Sequence, residues 1–336
     1  MIKTNQYMRI AIVRLSAMGD IVQSMIVLQF IKEYRPDCKI DWFVDRKFSD
    51  ILNDAKHIDN IFPLNIKGVK LYEFPSKLIK LYKFIRSKGR YDLVIDLQGL
   101  IKSGLVSRFI SANNRVGFHW ASSREPLSAF FYSKTFRIPY EENVIRRYIG
   151  LIEKCFEMNV TNDDIVNKKS FFSLTEQTNF SHSDYALFIV GASFESKIYP
   201  VEKFAEVSNS LVIDVVVVWH SDNEKILAEK LKKLSPKVII SKKINVDKLK
   251  NLISNATIVI GGDTGPTHLA WSMNIPSITI FGPTPMKRNC FITNQNLAVS
   301  SEQEINPYKI DKKNMSIKSI DPKKIVNLAG KLILNS

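Results

Sequence analysis

One short stretch of the chain combines two glycines, a carboxylate, hydroxyls and an imidazole. Residues Gly261 to His268 read Gly-Gly-Asp-Thr-Gly-Pro-Thr-His and follow the apolar run Ala256 to Ile260. That β-branched run predicts a strand, Thr264 is a favourable N-cap, and a helix tolerates proline only in its first turn. A helix is therefore expected to begin near Gly265.

The start of this helix has the chemistry of an anion site. Its unpaired amides and the positive end of its dipole face the space beyond the preceding strand. Glycines allow a ligand to approach the backbone closely, and His268 is placed to donate to a phosphate oxygen. A diphosphate fits this description. The alternative is an ordinary capped helix with a histidine in the core, and this stretch alone does not decide between them.

A second carboxylate occupies another turn from strand to helix. Met8 to Leu15 is a predicted strand, and a helix is expected from about Ile21 to Tyr34. Asp20 could serve as the N-cap, with Gln23 at capping-box spacing. It could instead face the crevice in which open α/β sheets bind ligands. The turn lacks a G-x-G-x-x-G fingerprint, so a dinucleotide is not indicated.

The elements that must position these residues alternate between strand and helix in both halves of the chain. The further predicted strands are Lys39 to Val44, Tyr91 to Leu97, Tyr185 to Val190, Leu211 to Trp219, Lys237 to Ser241 and Ser277 to Phe281. Such alternation predicts parallel sheets. By contrast, Asn114 to Leu127 reads as a polar loop.

The domain organisation follows from this pattern and from the polar segment Asn159 to Ser183. We expect one βα domain over residues 1–175 and a second over residues 176–318. A C-terminal helix within residues 319–336, from Pro322 to Leu334, is expected to pack across the junction. A cleft between the domains would then combine Asp20 with polar residues of the second half, namely Ser193, Lys197, Glu224, Asp263 and His268. Taken by itself, Lys197 is more typical of a surface lysine than of a site residue.

The charge of the chain predicts an anionic partner. The formal net charge is +15 over 336 residues, which suits nucleic acid, an acidic membrane surface or a phosphorylated substrate. Residues Lys67 to Arg90 interleave basic and aromatic side chains around the apolar positions Leu78, Leu81 and Ile85. This segment is either the solvated face of a packed helix or a docking face for anionic lipid head groups.

Several classes of protein are not expected. The three cysteines are few and odd in number, which argues against a disulfide framework. The sequence has neither a paired-histidine motif nor a D-x-D motif, so we expect no metal and no cofactor. It also lacks an apolar run of membrane-spanning length and a signal-peptide pattern at its start. The protein is expected in the cytoplasm.

Five motifs together resemble bacterial lipopolysaccharide heptosyltransferases, which are inverting glycosyltransferases of the GT-B fold. They are Leu15-Ser16-Ala17-Met18-Gly19-Asp20, Asp96 to Ser103, Arg124-Glu125-Pro126-Leu127, Asp263 to His268, and Phe281-Gly282-Pro283-Thr284. The resemblance covers nearly the whole chain and is greatest to the heptosyltransferase I group. It implies an α/β fold with two Rossmann-like βα domains facing an interdomain cleft.

The resemblance also implies the substrates and a role for each matching residue. The donor would be ADP-L-glycero-D-manno-heptose and the acceptor Kdo-lipid A, used at the cytoplasmic face of the inner membrane without a metal ion. Asp20 would be the general base, and Lys197 would stabilise the departing ADP. The donor side would consist of Ser193, Lys197, Trp219, Glu224, Asp263, Thr264, Gly265 and His268, with Asp263 on a sugar hydroxyl, Glu224 on the ribose and Trp219 beside the adenosine. Lys102 and Arg124 would bind the acceptor.

Two alternatives remain open from the sequence. A heptosyltransferase II or a related enzyme would use the same donor with a heptosylated acceptor. A basic nucleotide- or nucleic-acid-binding module without catalysis would account for the charge and the βα pattern, although the chain has no usual nucleic-acid-binding motif and we expect no nucleic-acid partner.

Overall fold

Two parallel six-stranded sheets organise the chain. The structure, a computed structural model, describes residues 8–66, 74–174 and 184–334. It divides into two units, Met1–Phe171 and Phe172–Ser336. The boundary predicted at residues 175 and 176 lies outside the described residues.

The first unit builds its sheet in the strand order β3-β2-β1-β4-β5-β6, with every neighbouring pair parallel. Its strands are β1 Arg9–Val13, β2 Lys39–Asp45, β3 Asn60–Leu64, β4 Arg90–Asp96, β5 Ser111–Phe118 and β6 Lys134–Phe136. Its helices are α1 Met18–Ser24, α2 Ile26–Tyr34, α3 Phe74–Arg86, α4 Ile101–Phe109, α5 Val144–Phe156 and α6 Asn162–Val166.

The second unit repeats the arrangement in the order β12-β11-β10-β7-β8-β9, again parallel throughout. Its strands are β7 Tyr185–Ile189, β8 Asp214–Val218, β9 Val238–Ile240, β10 Ile258–Gly262, β11 Ser277–Phe281 and β12 Asn296–Ser300. Its helices are α7 Val201–Ser210, α8 Asp222–Leu234, α9 Val246–Ser254, α10 Gly265–Ser272, α11 Met286–Asn289 and α12 Pro322–Leu334. Both orders are those of a Rossmann sheet, which confirms the predicted fold class.

Burial explains why these apolar runs form parallel strands. Every residue of β7 and of β11 is buried, and so are the four valines of β8. Strands covered by helices on both faces read as continuous apolar runs rather than as alternating ones. Helix α12 contributes Ile325, Ala329 and Leu332 to the core of the second unit. Its packing across the junction stays a prediction.

The structure corrects several local predictions in the first unit. The helix expected from Ile21 begins instead at Met18 and is interrupted at Met25. The first part of the segment predicted as a loop, Asn114 to Phe118, belongs instead to β5, whose first half is half-buried or exposed. The polar side chains of β5 gave no strand pattern in the sequence. Its conformation is decided by pairing along β4 more than by local propensity. Strands β3, β6 and β12 were not predicted either.

The described residues hold no helix that is both long and apolar enough to cross a membrane. The helix expected near the phosphate-binding motif does begin at Gly265, with Thr264 at its N-cap. Gly261 and Gly262 end strand β10 rather than forming the turn. A Cβ at Gly261 would lie 2.6 Å from Cβ of Ile189 in β7 and 2.9 Å from Oγ1 of Thr267. The first glycine therefore serves the close approach of β7, β10 and α10.

Replacing Gly261 by alanine should destabilise the second unit by about 1–3 kcal/mol, because the added methyl overlaps an adjacent strand that cannot move freely. Denaturant unfolding monitored for the purified chain measures this loss. Gly330→Ala is the matched control, since a Cβ there meets nothing within 4 Å and alanine favours a helix by up to about 1 kcal/mol. Equal midpoints for Gly261→Ala and the native chain would contradict the packing argument.

Candidate active site

The predicted donor-side residues follow the strands at which the second sheet reverses its order. Strand β7 lies between β10 and β8, so the segments that leave these three strands meet at one carboxyl edge. Open α/β sheets bind ligands at such a switch point. Ser193 and Lys197 follow β7, Trp219 follows β8 and Asp263 follows β10. The topology therefore brings these residues to one edge.

A buried carboxylate lies at the centre of this edge. Asp263 is 7% exposed, and its Oδ2 accepts a hydrogen bond from Lys197 Nζ at 3.0 Å. Its Oδ1 lies 2.9 Å from His268 Nε2, while Asn289 Nδ2 lies 3.4 Å from Oδ2. Both oxygens of Asp263 are thus engaged before any ligand binds.

The charge of this cluster follows from its surroundings. Burial by itself would raise the pKa of Asp263, but the Lys197 ammonium and the hydrogen bond from His268 outweigh burial and hold that pKa well below its usual range. An ionised carboxylate only accepts hydrogen bonds, so Nε2 of His268 carries the proton that it donates. Asp263 therefore fixes the position of Lys197 and the tautomer of His268.

Helix α10 begins at Gly265, two residues after Asp263. Thr264 has the extended conformation of an N-cap, although its side chain makes no capping hydrogen bond within the described residues. Thr267 Oγ1 instead donates to the Gly262 carbonyl at 2.9 Å, which ties the first turn to β10. The positive end of the helix dipole, Lys197 and His268 are consequently gathered at one place, where a diphosphate would be stabilised.

The other predicted donor-side residues lie on neighbouring segments. Trp219 is half-buried, and its indole donates to the Ser241 carbonyl at 2.8 Å. Glu224 Oε2 caps α8 by accepting from the amides of His220 at 2.7 Å and Ser221 at 2.9 Å. Ser193 is exposed. Their contacts with a nucleotide stay predictions.

Glu224 also explains a glycine after β7. A Cβ at Gly191 would lie 2.2 Å from Glu224 Oε1, so only glycine leaves room for this carboxylate at the switch point. The capping contacts use Oε2, and Oε1 is directed toward Gly191. The residue thus has a structural role, and its predicted ribose contact would involve the other oxygen.

In the first unit, the turn after β1 presents a carboxylate that is open to solvent. The Asp20 side chain is 45% exposed, and its Oδ2 lies 2.9 Å from Arg14 Nη2. Asp20 is the third residue of α1 rather than its N-cap, and it accepts from the Ala17 amide at 3.3 Å. The capping prediction for Asp20 and Gln23 was therefore wrong in position, because the helix begins earlier.

Arg14 is a residue that the sequence reasoning missed. It is 7% exposed and donates to the Leu97 carbonyl at 2.7 Å through Nη1. Burial alone would lower the pKa of Arg14, but Asp20 and other neighbouring groups raise it, so the guanidinium stays charged. The available signal was a cation at the end of an apolar strand. The buried Arg14 thus orients the Asp20 carboxylate from the protein interior and leaves it accessible to solvent.

The predicted acceptor-side residues follow the adjacent strands of the same sheet. Lys102 Nζ donates to Ser16 Oγ at 3.0 Å, so it lies beside the turn that carries Asp20. Arg124 is exposed and follows β5. The next residue, Glu125, accepts from the Ile101 amide at 2.7 Å and ties this segment to the start of α4. The three residues predicted for the first unit, Asp20, Lys102 and Arg124, therefore all follow strands at the carboxyl edge of the first sheet.

A buried carboxylate also lies at this edge of the sheet. Asp96 ends β4 and accepts from the Gln98 amide at 2.7 Å and from the Tyr132 hydroxyl at 2.8 Å. Burial raises the pKa of Asp96 despite these hydrogen bonds. The sequence analysis gave Asp96 itself no individual role. Within the described residues there is no cluster of three or more His, Cys, Asp or Glu side chains suited to a metal ion.

Asp263→Asn should destabilise the second unit at neutral pH by about 3–5 kcal/mol, because it leaves Lys197 buried without its counter-ion. A depressed pKa gives stability that is present above the unfolded value, near pH 4, and is lost as pH falls further. The difference from the native chain should therefore shrink below about pH 4. Denaturant unfolding at pH 7 and at pH 3 measures both effects.

Glu229→Gln is the matched control for this prediction. Its carboxylate lies 3.8 Å from Lys225 in an exposed pair on α8, and such pairs contribute less than about 1 kcal/mol. A loss for Asp263→Asn no larger than that for Glu229→Gln would contradict the proposed charge pairing.

Comparisons with known proteins agree with this architecture. A family model described as glycosyltransferase family 9 (heptosyltransferase) matches residues 78–320. Lipopolysaccharide heptosyltransferase 1 of Campylobacter coli is 36% identical over 344 aligned positions, which cover 97% of this chain and 99% of the relative. The protein of the same name from Escherichia coli K12 is 26% identical, with 82% of this chain and 88% of the relative covered.

Solved structures show the same fold. The E. coli heptosyltransferase WaaC with ADP superposes with a TM-score of 0.76 at 21% identity, covering 97% of this chain and all of that one. A family 9 glycosyltransferase of Veillonella parvula gives a TM-score of 0.80 at 20% identity and covers 99% of each chain. With a family model that matches most of its length and a relative aligned almost end to end, this chain belongs to glycosyltransferase family 9, the heptosyltransferases.

Proposed function

We propose that this heptosyltransferase transfers L-glycero-D-manno-heptose from ADP-heptose to the Kdo residue of Kdo-lipid A. Transfer would invert the anomeric centre, use no metal ion and take place at the cytoplasmic face of the inner membrane. Two relatives that align over most of their length are both named lipopolysaccharide heptosyltransferase 1, and this supports the choice of reaction. The donor is supported by the E. coli enzyme, whose structures were solved with ADP and with ADP-2-deoxy-2-fluoro heptose.

The observation that carries the proposal is the accessible Asp20 carboxylate. It lies at the carboxyl edge of the first sheet and is oriented by the buried Arg14. A general base must reach the proton that it removes, and 45% exposure leaves the carboxylate available. Asp20 would accept the proton of a Kdo hydroxyl as that oxygen bonds to the anomeric carbon of the heptose. The bond from that carbon to the diphosphate oxygen would break on the opposite face, which inverts the centre.

The leaving ADP would be stabilised in the second unit. Negative charge develops on the diphosphate as the bond breaks, and preorganised donors stabilise such charge most effectively. Lys197 and His268 are both held by Asp263, and the amides of Thr264 and Gly265 lie at the start of α10. In the proposed reaction these groups would supply the positive charge that a metal ion provides in other transferases.

Asp263 would act mainly through its neighbours. Its two oxygens are engaged by Lys197 and His268, so the proposed role is to position these two cationic or donor groups. The contact with a sugar hydroxyl that the family resemblance implies would require one of these hydrogen bonds to be shared. Ser193 is exposed on the segment after β7, and its hydroxyl would donate a hydrogen bond to the diphosphate.

The remaining predicted residues would bind the nucleoside and the acceptor. Trp219 would lie beside the adenine, with Glu224 on the ribose. Lys102 and Arg124 would pair with the Kdo carboxylate and the phosphates of lipid A, since cations bind such groups through charge-assisted hydrogen bonds. Their places beside Ser16 and after β5 support an acceptor at the edge that carries Asp20.

Asp20→Asn should lower kcat for heptose transfer to Kdo-lipid A by about 10²–10⁴-fold, because the amide cannot take the proton. Binding of ADP-heptose, measured by calorimetry, should be unchanged. The product is followed by mass, with chelator present throughout. Asp37→Asn, a charge-matched change at an exposed site, should retain native activity.

Three results would each overturn a part of the proposal. Full activity in Asp20→Asn would remove Asp20 as the base, and loss of native activity on adding chelator would show a need for metal. The acceptor is tested with Kdo-lipid A and its heptosylated form in parallel. Turnover of only the heptosylated form would identify a heptosyltransferase II, such as the 25% identical lipooligosaccharide heptosyltransferase 2 of Haemophilus influenzae.

A further inference from the structure

The segment that follows β11 lies at the same edge of the second sheet as the buried ion cluster. Strand β11 is the neighbour of β10, so the segment leaves the carboxyl edge next to Asp263. It contains the short helix α11, which ends at Asn289 and is followed by Cys290. The proposed reaction assigns no role to the side chains of this segment.

Asn289 connects a guanidinium to the buried carboxylate. Its Nδ2 lies 3.4 Å from Asp263 Oδ2, and its Oδ1 accepts a hydrogen bond from Arg288 Nη1 at 3.1 Å. Both contacts require the same orientation of the amide, because the reverse orientation would turn the NH₂ group toward the guanidinium and the oxygen toward the carboxylate. Arg288 is therefore held one amide group away from Asp263.

A second observation locates the end of α11 against the same carboxylate. Burial first and then the negative charge of Asp263 raise the pKa of the Cys290 thiol to about 12. The turn before α11 is closely packed as well, since a Cβ at Gly282 would lie 2.6 Å from Cβ of Ile317. The backbone that carries Arg288 is thus fixed by contacts both before and after it.

The type of this cation is unusual for its half of the chain. Residues 172–336 contain nineteen lysines, and Arg288 is their one arginine. An ammonium acts as a point charge, whereas a guanidinium presents five N–H donors in a rigid planar fork. Attraction of an anion needs only charge, which lysines supply. A half-buried arginine beside the ion cluster is suited instead to a group whose oxygens have a fixed geometry.

The order of segments along the edge indicates which part of a donor Arg288 would meet. The strands lie in the order β8, β7, β10 and β11, with neighbours about 4.8 Å apart. In the proposed function the nucleoside lies at the segment after β8 and the diphosphate at the start of α10, which follows β10. A nucleotide sugar that continues in the same direction would place its sugar at the segment after β11.

We propose that Arg288 binds hydroxyl groups of the sugar that the donor transfers, and that Asn289 is the positioning residue that holds Arg288 beside Asp263. Sugar hydroxyls accept hydrogen bonds, and a planar fork is able to donate to two adjacent hydroxyls at once. The inference rests on the proposed function in that it requires an ADP-sugar at this edge. It adds a residue that distinguishes the sugar from the nucleotide that carries it.

The primary test compares the affinities for ADP-heptose and ADP by calorimetry, because only the first ligand carries the sugar. Arg288→Gln should bind ADP-heptose at least about ten-fold more weakly, since it loses hydrogen bonds from a charged donor, and should bind ADP like the native chain. Arg288→Lys keeps the charge without the fork and should recover no more than about three-fold of this loss.

The positioning role of Asn289 is tested by a double-mutant cycle. Asn289→Ala should show the same selective loss for ADP-heptose. The double variant Arg288→Gln with Asn289→Ala should lose no more than about two-fold beyond Arg288→Gln, because residues that act as a unit have non-additive effects. Fully additive losses would overturn the positioning role, since they would show that Asn289 acts independently of Arg288.

A neighbouring cation on the same helix provides the matched control. Lys287 is exposed on α11, and Lys287→Gln removes the same charge; this variant should bind both ligands like the native chain. Unfolding midpoints verify that all variants are folded. Native affinity of Arg288→Gln for ADP-heptose would overturn the inference. An equal loss for ADP and ADP-heptose would also overturn it, because Arg288 would then serve the diphosphate.

Transfer assays and other ADP-sugars separate this inference from the proposed function. Normal heptose transfer by the native chain, with the native KM for ADP-heptose retained in Arg288→Gln, would support the proposed function and overturn the inference. A native chain that prefers an ADP-hexose over ADP and ADP-heptose, with this preference lost in Arg288→Gln, would refute the proposed donor and support the inference. A chain that binds no ADP-sugar more tightly than ADP would overturn both.

Discussion

The buried ion cluster around Asp263 is the interaction on which the second unit's site depends. A carboxylate that is almost fully removed from water costs several kcal/mol unless cations and donors surround it. Here Lys197 comes from the segment after β7, while His268 comes from the first turns of α10. Their joint attraction to one carboxylate fixes two separate segments against each other. Positive charge is thereby held where the start of α10 already attracts an anion.

The sheet topology determines where such a cluster can form. Parallel strands deliver their following segments to one edge, and the reversal of strand order between β7 and β10 opens a crevice there. Close packing at this point requires Gly261 beside Ile189 and Gly191 beside Glu224. The glycines thus allow neighbouring segments of the chain to pack closely. This packing shapes the crevice that is available to a ligand.

The two aspartate clusters illustrate how solvent exposure divides chemical roles. Asp263 and Asp20 each form an ion pair of about 3 Å, but their side chains are 8% and 45% exposed. The buried carboxylate has its oxygens engaged and organises its neighbours. The accessible one is anchored by Arg14 from the protein interior and remains open toward solvent. The proposed displacement would use the first as a positioning group and the second as the base.

The sequence by itself determined the βα alternation, the start of α10 at Gly265 and the helix from Pro322, because local caps, prolines and apolar runs act over a few residues. It also identified the family through motifs at the ends of strands. Only the tertiary structure decided that Arg14 supports Asp20, that Asp263 is buried between two donors, and that polar β5 joins the sheet. These features depend on contacts between segments distant in sequence, whose pairing no local pattern specifies.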